Sequence, residues 1–193
     1  MVGVVCRQDV HASLFGFERE CGGVAASIAV VNMSTKTITN TFHVRAATVA
    51  VTDSTNLYVA GTDPATNLGR LDVMNLSSFA VTPVATAISD GLHTTMALAA
   101  NNKLYIGSKA CSNSGGQCLS VYNTSSGSAA ILTGNSTYPA VGDVTAITPI
   151  VGRSVVYVVQ NGLLVIYDTA TDAPQATQLT LTGKVVDVKE VDN

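Results

Sequence analysis

Chemistry in this chain has to come from a small set of side chains. Three histidines are present, His11, His43 and His93, and none is spaced so that two imidazoles share a strand face or a helix turn. A metal pair is therefore not expected. His93 stands close after Asp90, the one pairing that resembles a general acid and base. No Gly-x-Ser-x-Gly elbow, phosphate loop or dinucleotide fingerprint occurs, and no cofactor or catalytic residue is assigned. Asp53-Ser-Thr-Asn56 and Asp63-Pro-Ala-Thr-Asn67 gather the oxygen ligands that calcium takes. Asp and Asn also cap turns by bonding their own backbone, and that reading is preferred.

The four cysteines are Cys6, Cys21, Cys111 and Cys118. Cys111 and Cys118 close the Gly-rich stretch Ser-Asn-Ser-Gly-Gly-Gln, and a short loop between two strands brings its ends within disulfide reach. Metal ligation by this pair lacks the two-residue spacing of zinc knuckles and a nearby histidine. A disulfide there implies an oxidising compartment: extracellular, cell surface or periplasm. The even count also permits Cys6 to pair with Cys21, with nothing in the sequence to settle its geometry.

Bulk composition narrows the partners. Charged residues make up 12% of the 193, against a usual figure of about 25%, so hydroxyls and amides must cover much of the surface. Ten Lys plus Arg and a net charge of −3 leave no patch able to neutralise several phosphates, which argues against nucleic acid and against docking on an anionic membrane. No apolar run approaches the roughly 18 residues of a spanning helix, so membrane insertion is not expected. Met1 to Arg7 shows no basic stretch followed by an apolar region, and no signal peptide is read there.

What could position any of these residues is a repeat. Ser27-Ile-Ala-Val-Val-Asn32, Leu71-Asp-Val-Met-Asn75, Leu119-Ser-Val-Tyr-Asn123 and Leu163-Leu-Val-Ile-Tyr-Asp168 are apolar strands ending in Asn or Asp. Their end positions are 43, 48 and 45 residues apart, inside the range of propeller blades. Before three of them come strands carrying a tyrosine at one place, Tyr58, Tyr105 and Tyr157. Earlier still lie Thr48-Val-Ala-Val, Thr95-Met-Ala-Leu and Thr145-Ala-Ile-Thr, with Val186 to Val191 reading as another copy. A less regular strand follows each unit, at 37–44, 81–87, 129–133 and 176–181. The pattern predicts one all-β domain of four-stranded antiparallel blades, A to D in chain order, about four in this chain, with a sandwich as the alternative. The equivalent threonines are expected to form a polar layer near the axis.

The alternation of a Tyr-Val-type strand with a Val-x-Asp-Thr-type strand resembles the YVTN-type bacterial and archaeal β-propeller repeats of surface-layer and cell-surface proteins. The resemblance covers residues 24–193, and departs from the family pattern in lacking the Gly-x-x-Pro turn before strand A. It implies a surface module rather than an enzyme.

Residues 28–44 supply strands C and D of a further blade without an obvious A, and Val186 to Val191 supply an A with nothing after it. The ends are expected to meet, with Ser13 to Phe17 as strand B of a small four-bladed ring. A larger ring, or pairing with a second copy, is the alternative, because open strand edges recruit partners. Propeller geometry places the D-to-A and B-to-C loops on one face, so the candidate binding residues are His43, Arg45, Asp90, His93, Tyr138, Asp143 and Lys109, with Asp63, Asn161 and Lys184 beside them. The expected function is a non-catalytic surface module contacting protein or glycan, open to self-association. The alternative is a propeller-type hydrolase or lactonase with its site near Asp90 and His93. Four Asn-x-Ser/Thr sites, at Asn32, Asn75, Asn123 and Asn135, are read first as turn chemistry.

Overall fold

A computed structural model describes residues 2–3, 26–32, 34–44, 47–175 and 184–189. Arg45, Cys6, Cys21 and the segment Ser13 to Phe17 lie outside them. Among the described residues the regular structure is entirely β, in four antiparallel sheets. The first sheet has the order β1 (Val2–Gly3), β2 (Ala26–Asn32), β3 (Thr37–Val44). The second runs β4 (Ala47–Thr52), β5 (Asn56–Asp63), β6 (Leu68–Asn75), β7 (Val81–Pro83). The third runs β8 (Leu92–Ala99), β9 (Lys103–Lys109), β10 (Leu119–Asn123), β11 (Ser128–Ile131). The fourth runs β12 (Val144–Pro149), β13 (Val155–Gln160), β14 (Leu163–Asp168), β15 (Ala173–Pro174). Every sheet is an up-and-down meander, as the repeat requires. Among the described residues the four do not close on themselves.

Turn chemistry explains why each strand C ends in Asn or Asp. The Oδ1 atoms of Asn32, Asn75, Asn123 and Asp168 each accept two backbone N–H groups, from the residues two and three further on. Each turn then closes on a left-handed residue: Lys36, Phe79, Gly127 or Asp172. Phe79, an unusual residue for that conformation, stacks on Phe42 of β3 with centroids 5.3 Å apart. Asp53 caps its own turn through Thr55 and Asn56, and Asp63 accepts the amide of Ala65. Among the described residues no cluster of three or more His, Cys, Asp or Glu could hold a metal.

The core lies between consecutive sheets rather than within one. Ile28 and Val44 pack on Leu57, Val59 and Met74; Tyr58, Ala60 and Leu71 pack on Leu104, Ile106 and Tyr122; Tyr105, Leu119 and Val121 pack on Val144, Val156, Val158 and Tyr167. Tyr58, Tyr105 and Tyr157 occupy the second strand of successive sheets, as the spacing predicts. The first two each meet a tyrosine from the next sheet's third strand, Tyr58 with Tyr122 and Tyr105 with Tyr167.

Several strand readings need correction. The inner strands β4, β8 and β12 each carry a register shift, between Ala47 and Val49, His93 and Thr95, and Val144 and Ala146. The bulged residues are therefore Thr48, Thr94 and Thr145, so Thr94 and not Thr95 is the repeat's equivalent. Thr94 and Thr145 are exposed and Thr48 is half-buried. The strand expected at 81–87 stops at Pro83, with one further bond from the Val84 amide to Leu71 O (2.9 Å). In the fourth sheet the outer strand is Ala173–Pro174, ahead of the expected 176–181, which lies outside the described residues. Residues 184–189 form no strand and lie on the fourth sheet, not the first: Val185 donates to Gly162 O (2.9 Å) and Thr148 Oγ1 to Val188 O (2.7 Å). Next to β2 the structure places Val2–Gly3.

One position tests how closely the second and third sheets approach. Gly69 bridges Ile88, and a Cβ there would be driven into the carbonyl oxygens of Ile88 and Ser89. Backbone cannot rotate away as a side chain would. Gly69→Ala is expected to lower stability by about 3 kcal/mol, the upper end of overpacking costs, read from the urea midpoint.

Candidate functional site

The loop between β9 and β10 is the most heavily tied loop of the face where B-to-C and D-to-A connections emerge. Cys111 and Cys118 form its disulfide, with Cα atoms 5.6 Å apart. Two carboxylates from successive D-to-A connections hold it. Asp90, before β8, accepts the amides of Ser112 (2.8 Å) and Asn113 (2.9 Å) on Oδ2 and the amide and hydroxyl of Ser114 (3.2 and 2.9 Å) on Oδ1. The Ser112 hydroxyl adds a further bond to Oδ2. Asp143, before β12, accepts the amide of Ala110 (2.8 Å). Burial by itself would raise the Asp90 pKa; the amides of Asn113 and Ser112 and the hydroxyls of Ser114 and Ser112 outweigh it, holding the carboxyl well below the usual range.

His93 is not on this face. The bulge in β8 turns it into the interior, at the place that Ala47 and Val144 take in β4 and β12, and it is 1% exposed. Among the described residues neither imidazole nitrogen has a hydrogen-bond partner. Burial lowers its pKa to about 4, against the pull of the nearby Ser89 carbonyl and the Asp90 charge. The expected acid/base pair is therefore not assembled: Asp90 spends both oxygens on the loop, and His93 is sealed from solvent.

Beside His93 lies a polar cluster that sequence reasoning missed. Ser89 Oγ and Ser108 Oγ are 3.0 Å apart, Ser120 Oγ donates to Ser89 Oγ (3.1 Å), and the Ser89 amide donates to Ser120 Oγ (2.8 Å). Ser108 Oγ also lies 3.0 Å from Cys111 Sγ, which couples the cluster to the disulfide. All three serines are fully buried. The visible signal was a polar residue at the second place of a core strand, Ser120 in Leu-Ser-Val-Tyr-Asn.

The other candidates are scattered along the same end. His43 is an exposed strand residue of β3 opposite Ser27, not a loop residue. Lys109 ends β9 opposite Leu92 and is half-buried. Tyr138 is half-buried in the loop before β12, where Asn135 Oδ1 accepts its amide (2.8 Å). Five large apolar side chains share this end: Leu68, Leu92, Val141, Leu163 and Val186, between 42% and 71% exposed. Hydrogen bonds lace the loops from sheet to sheet, Thr62 to Gly91, Asn113 to Asn67 and Gly142 to Gly116, and the tail joins the fourth sheet through Val185 to Gly162.

Among the described residues no helix is long and apolar enough to cross a membrane. No family model and no curated protein sequence matches the chain. Among solved structures it is similar to the extracellular domain of a one-component system protein from B. thetaiotaomicron, at 16% identity and TM-score 0.53, over 79% of this chain and 20% of that one. Kuenenia stuttgartiensis hydrazine synthase matches at 13% and 0.55, over 79% and 42%, and the N-terminal domain of Nup159 at 12% and 0.51, over 81% and 41%. The chain thus spans less than half the length of each. At these identities the likeness is one of fold: an all-β array of antiparallel sheets whose neighbours are propeller-like.

Proposed function

We propose that this chain is a propeller-type, non-catalytic module of a cell surface, periplasm or extracellular space, which contacts a protein, or a glycan, through its B-to-C and D-to-A loops. The observation that carries the reading is the clamp on the loop of residues 110–118. A disulfide and two carboxylates are spent on holding a polar, Gly-rich loop in one shape, and a pre-ordered loop binds without paying the entropy of ordering. The disulfide supports the compartment. Exposed Leu68, Leu92, Val141, Leu163 and Val186 favour a protein partner, since scattered polar loops alone offer little area to bury. The blades are read as YVTN-like from the Tyr-Val and Val-x-Asp-Thr strands.

Photo-crosslinking residues placed at Leu68 and Leu163, with Val151 at the opposite end as control, test the face directly. Capture of a defined partner at the first two positions and not at the third is expected, alongside a glycan array probed with the oxidised chain. Equal capture at all three sites argues against the face. Turnover of an aryl ester or lactone panel that vanishes in His93→Gln would replace this reading with the hydrolase one.

A further inference from the structure

The turns that close strand C on strand D carry more than a turn needs. At Asn75, Oδ1 accepts the amides of Ser77 and Ser78 (both 2.9 Å) and the carbonyl accepts that of Phe79 (2.8 Å). Asn123 does the same with Ser125 (2.9 Å), Ser126 (3.1 Å) and Gly127 (2.9 Å). Asp168 builds an identical turn, with Ala170 (2.8 Å), Thr171 (3.0 Å) and Asp172 (2.8 Å). The turn therefore uses one side-chain oxygen, has no need of a side-chain N–H₂ group, and accepts alanine two residues on. Yet Asn32-Met-Ser34, Asn75-Leu-Ser77 and Asn123-Thr-Ser125 each present both the carboxamide and a hydroxyl at that place.

These two surplus groups face solvent. The hydroxyls three residues on serve the turn: Ser78 donates to Asn75 Oδ1 (3.2 Å), Ser126 bonds Ser128 (2.7 Å) and Thr171 donates to Asp168 Oδ1 (3.2 Å). Those two residues on, Ser34, Ser77 and Ser125, are exposed, and among the described residues their Oγ atoms bond nothing. A carboxamide is planar, so an Oδ1 turned in to two amides directs Nδ2 outward. Asparagines outside the motif behave otherwise: Asn56, Asn101 and Asn113 donate Nδ2 to Tyr58, Thr169 and the Asn67 carbonyl. Asn135-Ser-Thr137 repeats the arrangement in the loop after β11, with Oδ1 on the amides of Thr137 (3.0 Å) and Tyr138 (2.8 Å) and all three motif residues exposed.

We infer that Asn32, Asn75, Asn123 and Asn135 are acceptors of N-linked glycan. Each stands in an Asn-x-Ser/Thr motif with no proline between, the pattern such transfer requires. The donor is a lipid-linked sugar phosphate. Nδ2 bonds to the anomeric carbon of the first sugar as that carbon's bond to the phosphate oxygen breaks; the lipid phosphate leaves with the electron pair, and one Nδ2 proton passes to a base of the transferase. The product keeps Oδ1 and one Nδ2–H, so every bond of the turn survives. The inference rests on the oxidising compartment proposed above. Asn32, Asn75 and Asn123 place sugar at the C-to-D end, away from the loops proposed for contact, where its bulk disfavours docking; Asn135 is at the loop end.

Peptide mapping of the full chain isolated from the cells that make it, with electron-transfer fragmentation that keeps sugar on its asparagine, tests it. Peptides holding Asn75 and Asn123 are expected to carry hexose or N-acetylhexosamine, and those holding Asn56, Asn101 and Asn113 are not. Ser77→Ala, which copies Ala170, is expected to abolish the sugar at Asn75 and leave that at Asn123, while Ser77→Thr keeps both. Cooperative melting of both variants shows that the turn still folds. Bare Asn75 and Asn123 overturn the inference, even with sugar at Asn135; so does an added mass at Asn75 that survives Ser77→Ala. The same map reads the cysteines. Bare asparagines beside a bridged Cys111 and Cys118 overturn the glycan sites and leave the compartment standing, whereas bare asparagines beside free thiols overturn both. The loop face is decided separately, by the crosslinking at Leu68 and Leu163.

Discussion

Asp90→Ala is expected to cost the folded chain about 3 kcal/mol or more, about 6–12 °C in melting temperature for a chain of this size. The carboxylate accepts five hydrogen bonds from Ser112, Asn113 and Ser114 while itself only 3% exposed. Hydrogen bonds to a charged group each contribute about 1.5–3 kcal/mol, and removing the shared acceptor strands three amides at once. Asp90→Asn is expected to behave almost as badly, because its new N–H₂ group faces amide donors. Ser112→Ala and Ser114→Ala each keep the acceptor and lose one donor, so about 1 kcal/mol is expected for either. Since the disulfide and Asp90 constrain the same loop, Cys111→Ser/Cys118→Ser combined with Asp90→Ala should depart from additivity. Asp90 is held below its usual range, so its contribution is full above the ordinary carboxylate pKa and fades only as pH falls through the lowered one. The Asp90→Ala deficit should therefore be the same at pH 7 and pH 5. Urea midpoints of these variants check the series, and an Asp90→Ala cost under about 1 kcal/mol would show that the disulfide and Asp143 hold the loop without Asp90.

Much of the architecture was legible because its signals are local. Asn32, Asn75, Asn123 and Asp168 mark turns by capping their own backbone, which needs only the residues beside them. Tyr58 and Tyr105 are each packed by the neighbouring repeat and Tyr157 recurs at the same place, so spacing alone placed them. Cys111 and Cys118 are neighbours in the chain, and their bridge follows from loop length. What stayed hidden depends on contacts between sheets. The bulge at Thr94 leaves no trace in the local pattern, yet it decides whether His93 faces the loops or the core. Asp90 reads as a loop acid until the amides of a loop from another turn of the chain are seen around it. The tail's alternating valines match a strand, but whether they form one depends on which partner edge they meet, and among the described residues they meet the fourth sheet instead. The B-to-C and D-to-A loops do meet at one end of the sheets, while side-chain direction keeps Asp90 and His93 from forming an acid/base pair.

Among the described groups with a shifted pKa, His93 is the one whose shift spans pH 4 to 6.5. Its imidazole is buried at a position that the neighbouring repeats fill with Ala47 and Val144, and among the described residues neither nitrogen is bonded. Burial lowers its pKa from 6.5 to about 4. In the unfolded chain the ring takes a proton near the ordinary value, so between those two limits the unfolded state binds more protons than the folded one. Stability must then rise with pH across that window and fall as the solution is acidified through it. The loss is on the order of 3 kcal/mol by pH 4, of which about 2 kcal/mol is gone by pH 5. His93→Leu removes the titrating group together with two polar atoms that have no partner, so it is expected to be neutral or stabilising at pH 7 and to flatten the dependence between pH 7 and pH 5. His93→Gln, which keeps a buried amide, should flatten it too but at lower stability. Urea midpoints at the two pH values, compared between the wild type and His93→Leu, isolate this residue from His43 and from the carboxylates. Equal slopes in the two proteins would mean that the ring is hydrated or paired in solution, and that the bulge in β8 does not seal it.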